Sequence, residues 1–231
     1  MNLKSEEKLI NVPNMLTLLN LILGFSAILY AKIDPAISFI LIFTATVADA
    51  LDGLAARVLK QTSKIGKELD SIADICSFGI APAYLLLTID FRVEAYIASI
   101  IYVCGGALRL ARFNIYGVKE FFEGLPIPAA AIFSSSAAIT LTNPYSSIIF
   151  IIVGFLMVSK IVFPSIKVPR GRISVLASLI IGVIATLITL YIRPPAELSL
   201  IFGIEIVFIV AICYVFLSPA LELLLKKRYH N

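Results

Sequence analysis

Long apolar runs, broken by proline, glycine and short charged stretches, organise this chain. Eight runs are each about long enough to cross a ~30 Å hydrocarbon core as a helix. They cover 13–31, 35–57, 70–88, 94–113, 126–142, 145–163, 174–191 and 198–217. Breaks fall at Asp34-Pro35, at "GLPIP" (124–128), at "TNPY" (142–145), around Pro164 to Gly171, and at Pro194-Pro195, where proline and glycine punctuate helices. The TNPY break is so short that the runs it joins must form a tight hairpin. The pattern predicts an all-α, polytopic membrane helix bundle with about eight transmembrane helices. Residues 1–231 read as one domain, with 1–12 a cytoplasmic or interfacial N-terminus and 218–231 a basic cytoplasmic tail.

Composition agrees. Of 231 residues, 60% are hydrophobic and 15% charged, which excludes a soluble domain of this size. Eight crossings put both termini on one side, and the 19 lysines and arginines then sort strongly. Lys4 and Lys8, Arg57 to Lys67, Arg109 to Lys119, Lys160 to Arg172 and Lys226 to Arg228 fall together; only Lys32, Arg92 and Arg193 fall opposite. By the positive-inside rule the basic side is cytoplasmic, so the chain reads as a multi-pass protein of the cell membrane. The net charge of +4 follows from this sorting and suits anionic lipid headgroups; it is no sign of nucleic-acid binding. The first twelve residues mix acids with lysines and lead into a full span, unlike a cleaved secretory signal. A short interfacial helix would fit there.

Cys76, Cys104 and Cys213 are isolated in apolar runs and read as small hydrophobes. The one histidine, His230, is the second-to-last residue, so histidine-based catalysis or metal binding in the fold is excluded.

Four aspartates stand out. On a helix, Asp49, Asp52, Gly53 and Ala56 fall at offsets 0, 3, 4 and 7, which is one stripe. Two carboxylates thus share a face with two of the smallest side chains, leaving a groove, with Arg57 a turn beyond Gly53. On the next helix Gly66, Asp70, Asp74 and Ser77 follow at i, i+4, i+8 and i+11, again one face. The short link between makes the two helices antiparallel neighbours, so that four carboxylates converge near the cytoplasmic boundary. An aspartate at mid-membrane costs ~2.5–3.5 kcal/mol on insertion scales, and like charges add repulsion. Helix-end pairing with Lys60, Lys64 and Lys67 would account for one such acid, but not for four on two aligned faces. Oxygen donors without histidine or thiolate point to hard divalent ions, Mg²⁺, Mn²⁺ or Ca²⁺. Four acids suggest two ions, the usual clamp for in-line phosphoryl chemistry.

The spacing Asp49-x-x-Asp52-Gly53-x-x-Ala56-Arg57, eight residues, Gly66-x-x-x-Asp70-x-x-x-Asp74 matches the signature of the CDP-alcohol phosphotransferases without a departure. "LDSIADICSFGIAPA" (69–83), "GALRLARFN" (106–114) and "GLPIPAAA" (124–131) resemble the phosphatidylserine synthase branch. "PNMLTLLNLILG" (13–24) is similar to the family's first span. The resemblance implies an enzyme that displaces CMP from a CDP-linked lipid with an alcohol, and a homodimer. It implies that Asp49, Asp52 and Asp70 hold one metal, that Asp49, Asp70 and Asp74 hold a second, and that Asp74 is the general base. It places Gly53, Ala56, Arg57, Ser63 and Gly66 against the CDP-lipid, with Asn14 and Thr17 close to the nucleotide.

The acceptor is less determined. Arg109 and Arg112, at i and i+3, could clamp a carboxylate bidentately. They could equally bind the phosphate of glycerol 3-phosphate or inositol phosphate, or simply be positive-inside residues. Resemblance to serine-using relatives favours L-serine, with Ser77 and Asn114 lining the same region. The donor lipid, ester- or ether-linked, stays open. Membrane prenyltransferases also use intramembrane aspartates, but with motifs farther apart; a divalent-cation transporter would need a polar path across the bilayer, whereas these acids sit to one side. Glu205, deep in the last run, is read as paired inside the bundle.

Overall fold

A computed structural model describes residues 11–116, 122–163 and 200–228. Helix α1 (Val12–Ala31) is capped by the Asn11 side chain, which accepts from Asn14 N at 2.8 Å, and α2 (Pro35–Val58) by Asp34, which accepts from Ala36 N at 2.9 Å. Both carry proline in the first turn, where its missing N–H costs nothing. Helix α3 (Lys64–Asp74) continues through a π-helical turn (Ile75–Ile80) into α4 (Ala81–Ile89). Then follow α5 (Val93–Tyr116), α6 (Ile127–Thr140), α7 (Tyr145–Val158) and α8 (Leu200–Arg228). Two-residue strands β1 (Phe122–Glu123) and β2 (Val162–Phe163) pair antiparallel, Phe122 opposite Phe163.

The described residues are all-helical apart from that pairing, and they bear out only part of the expected eight spans. Five helices are long and apolar enough to cross a membrane: α1, α2, the continuous rod Lys64–Ile89, α5, and Gly203–Ala220 within α8. Helices α6 and α7 have 14 residues each, about 21 Å at 1.5 Å per residue, short of a ~30 Å core. The reason lies at their ends. Helix α6 starts only after Pro126, and α7 ends where Ser159 turns extended and the chain enters β2. The TNPY connection is the tight hairpin expected, closed by Ser146 Oγ donating to Asn143 Oδ1 at 2.7 Å. The run at 174–191 and His230 lie outside the described residues.

Large apolar side chains such as Ile22, Phe25 and Leu29 on α1 point outward, as a lipid-facing surface requires. Inside, small residues and hydrogen bonds bring helices together where no water-driven force does so. Helix α1 is the spine, packed along both α2 and the α3–α4 rod. Ser38 Oγ donates to Ala27 O at 2.8 Å, Ser77 Oγ to Asn20 O at 2.9 Å and Thr88 Oγ1 to Ala31 O at 3.2 Å. A Cβ on Gly24 would overlap Ser77, so this approach depends on glycine. The π-helical turn leaves the Phe78 carbonyl to the fully buried Tyr102 hydroxyl, which donates to it at 2.9 Å. Helix α5 crosses α7 backbone to backbone at Gly105 and Gly154, beside the Tyr102–Phe150 ring pair at 4.9 Å. Helix α8 packs on α6 through Phe133 and Phe208, stacked at 5.5 Å.

At the end of the α3–α4 rod remote from Lys64, buried Asp90 accepts from Arg92 Nε at 3.0 Å, Arg92 Nη2 at 3.1 Å and Ser147 Oγ at 3.4 Å. The Arg92 hydrogen bonds hold its carboxyl below the usual range. This ties the α4–α5 corner to α7.

Candidate metal and phosphate centre

The end of α2 and the start of α3 build the site. Helix α2 stops in a left-handed turn at Lys60 (φ 53°), with Gln61 N donating to Ala56 O at 3.0 Å and Lys60 N to Arg57 O at 3.3 Å. This is a Schellman closure. Three residues later the Ser63 hydroxyl accepts from Gly66 N at 2.9 Å and starts α3. The chain therefore reverses in a few residues. Even so, α2 and α3 have almost no close backbone approach, each being held by α1 instead. The space between them is the site.

At 1.5 Å per residue, Asp52 and Asp70 both stand about 9 Å from the shared end of their helices, and Asp49 and Asp74 about 14–15 Å. Carboxylate oxygens of Asp49, Asp70 and Asp74 come within 4.8 Å of one another. Asp52 lies outside that trio but is buried, with one oxygen, Oδ2, lacking any hydrogen-bond partner. An all-oxygen donor set, convergent carboxylates and an orphaned buried carboxylate oxygen fit a hard divalent cation; the same arrangement without cations would set like charges against one another in low dielectric.

Above and beside the acids opens a cavity of about 520 Å³. Its wall contains Asn14 and Thr17 from α1, Asp49, Asp52, Gly53, Ala56 and Arg57 from α2, and Ser63, Gly66 and Asp70 from the α3 side. All seven residues expected near a CDP-lipid therefore face one space with three of the four aspartates. The two glycines do different work there. A Cβ on Gly53 would meet only the Arg57 guanidinium, at 3.6 Å, and would otherwise occupy cavity. A Cβ on Gly66 would press on Asn14 Oδ1 at 2.9 Å and Ser63 Oγ at 3.0 Å, so that glycine lets α3 close on α1.

The residues expected at the acceptor separate. Arg109 is buried, its Nε has no partner, and its charge faces Asp74 and Asp49. Arg112 turns away: its guanidinium donates to Glu123 O at 2.6 Å, Val158 O at 3.0 Å and Met157 O at 3.4 Å, clamping the end of α7 to β1. Gly124 at φ +83°, whose Cβ would strike Met157 O, completes that clamp. The two arginines do not form one fork. Ser77 is fully buried in the π-helical turn and donates to Asn20 O on α1, the residue whose amide also meets Asp74. Asn114 Nδ2 donates to Ser71 Oγ at 2.9 Å, tying α5 to α3.

Sequence reasoning did not single out Lys67, Phe113 or Asn20. Lys67 lines the cavity, donates to Asn114 O at 2.8 Å and sits 5.9 Å from the Phe113 ring centre; the residue after Gly66 in the signature was the available signal. Asn20 Nδ2 donates to Asp74 Oδ1 at 3.3 Å. No local spacing marked it. Glu205, half-buried on α8, has an interaction partner, and the cysteines are free.

Comparison with known proteins agrees with this geometry. The profile of the CDP-alcohol phosphatidyltransferase family matches residues 10–165. A CDP-diacylglycerol–serine O-phosphatidyltransferase of Methanocaldococcus jannaschii is 45% identical over 162 residues, 69% of this chain and 77% of the relative. One from Helicobacter pylori is 33% identical over 213 residues, 85% of this chain and 88% of the relative. An archaetidylserine synthase of Methanothermobacter thermautotrophicus is 39% identical over 181 residues, 72% and 75% of the two chains.

Proposed function

Because the chain belongs to the CDP-alcohol phosphatidyltransferase family, we propose that it transfers the phosphatidyl group, or its ether-lipid counterpart, from a CDP-linked lipid to the hydroxyl of L-serine, releasing CMP. The observation that carries this reading is the single cavity in which Asp49, Asp52 and Asp70 face Gly53, Arg57, Ser63 and Gly66. The names of the relatives, which specify serine as acceptor, support the choice of alcohol.

In this reading Asp49, Asp52, Asp70 and Asp74 hold two divalent cations, Mg²⁺ or Mn²⁺. When bound, these supply positive charge against the diphosphate and the departing CMP. Gly53 gives the diphosphate room to lie against the α2 backbone, and Arg57 pairs with it at the cavity mouth. Asn14 and Thr17 border the nucleotide. Asp74 accepts the serine hydroxyl proton as the oxygen attacks phosphorus; the new P–O bond forms as the bond to CMP breaks, in one in-line step. Arg109 faces the serine carboxylate. The site opens to the cytoplasm, so that CMP and serine exchange with water while the lipid chains stay among the helices, and the enzyme works as a homodimer.

An acceptor screen tests the proposal. Purified protein, a CDP-lipid and Mn²⁺ should release CMP with serine, and not with glycerol 3-phosphate or inositol phosphate. Release with either phosphate instead would reject serine as the acceptor. Gly53→Ala tests the cavity. The added methyl meets no obstruction in the protein and gains up to ~1 kcal/mol of helix propensity, so thermal stability should hold. Filling the diphosphate space should raise the KM for CDP-lipid about tenfold or more. An unchanged KM would place the diphosphate elsewhere.

A further inference from the structure

Asp74 is buried and is the one of the four acids that does not line the cavity. A carboxylate that must serve the reacting centre from such a position needs its plane fixed, and among the described residues one side chain is hydrogen-bonded to it. Asn20 is fully buried on α1, and its amide donates to Asp74 Oδ1 at 3.3 Å. Its other amide atom, Oδ1, has no partner. Leaving a buried acceptor unsatisfied is unfavourable, so packing convenience does not explain an asparagine here; an apolar residue of similar size would remove that penalty. What asparagine adds is the donor to Asp74.

The seat is rigid for a second reason. The Asn20 backbone carbonyl accepts from Ser77 Oγ at 2.9 Å, and one turn later Gly24 lets α1 lie against Ser77 itself. Helix α1 is therefore fastened to the π-helical turn directly beyond Asp74. The Asn20 backbone cannot shift away from the α3–α4 rod without breaking that seam.

We propose that Asn20 is a positioning residue: from α1 it holds Asp74 Oδ1 and so sets the orientation of the Asp74 carboxylate relative to Asp49 and Asp70. This rests on the role given to Asp74 above. Partners of this kind, which orient a ligand rather than bind the metal, are worth about 10–100-fold in metal affinity or activity.

The test uses purified protein in detergent, Mn²⁺ titration followed by the electron paramagnetic resonance of the free ion, and steady-state CMP release. Asn20→Ala removes the donor. Asn20→Leu keeps a similar volume without any donor, which protects the test if the alanine variant unfolds. Both are expected to weaken Mn²⁺ binding about 10–100-fold at one site and to lower kcat similarly, with the KM for CDP-lipid nearly unchanged. A folded Asn20→Leu protein with wild-type Mn²⁺ binding and kcat would overturn the proposal. So would losses that merely track the unfolded fraction. Asp74→Asn in the same titration separates the two levels. If it leaves Mn²⁺ binding and turnover intact, the role of Asp74 fails and this inference with it; if it abolishes both while the Asn20 variants do not, only this inference fails.

Discussion

Asp74→Asn is expected to reduce CMP release about 10³-fold or more while the protein stays folded. A positioned general base contributes roughly 10²–10⁴ to rate, and the same side chain lies within 4.8 Å of Asp49 and Asp70 as a potential cation ligand. Asparagine preserves volume and can still meet Asn20, so thermal unfolding should change little. Removing a buried like charge from a cluster of acids could even stabilise the protein before cations are added. Stopped assays of CMP release at saturating serine check this: a loss smaller than tenfold would remove Asp74 from the chemical step. The loss should appear in kcat, because the residue sits below the cavity wall rather than in it.

Gly105→Ala is expected to cost the largest amount of stability for the smallest change in atoms. A Cβ there would fall 2.4 Å from the Gly154 carbonyl oxygen and 3.1 Å from its Cα. Both are backbone, so no flexible side chain can yield. Overpacking of this kind costs about 1–3 kcal/mol and sometimes more, against a helix-propensity gain of ~1 kcal/mol. The clash should win, lowering Tm by several degrees in detergent. Gly203→Ala is the matched control, since a Cβ there meets nothing within 4 Å among the described residues; it should leave Tm unchanged or raise it. Equal behaviour of the two variants would mean that α5 and α7 do not cross as closely as described.

The spans and the aspartates were legible because each rests on a periodic rule. Apolar length marks α1, α2 and α5, and offsets of three and four along a helix put Asp49 with Asp52 and Asp70 with Asp74. What escaped depended on non-periodic contacts. The runs at 126–142 and 145–163 read as full spans from hydropathy, but Ser159 and the β1–β2 pairing end α7 early, a non-local effect. The Arg109–Arg112 spacing reads as one fork. It is divided because the α7 carbonyls draw Arg112 away. Ser77 stays with Asp74 against Asn20, but its hydroxyl is taken by the Asn20 carbonyl, 57 residues away, which no helical offset predicts. Asn20 carries no local signal at all; its partner is 54 residues away.

That one helix serves as the shared support for both walls of the cavity has an energetic corollary. Substitutions on α2 and α3 that alter packing alone, made together, should sum in their effect on unfolding, since the two walls hardly touch. Either of them combined with a change on α1 should depart from the sum, because each wall is referenced to α1 and not to the other. The pattern of coupling energies across the three helices would then be a star with α1 at its centre, rather than a triangle.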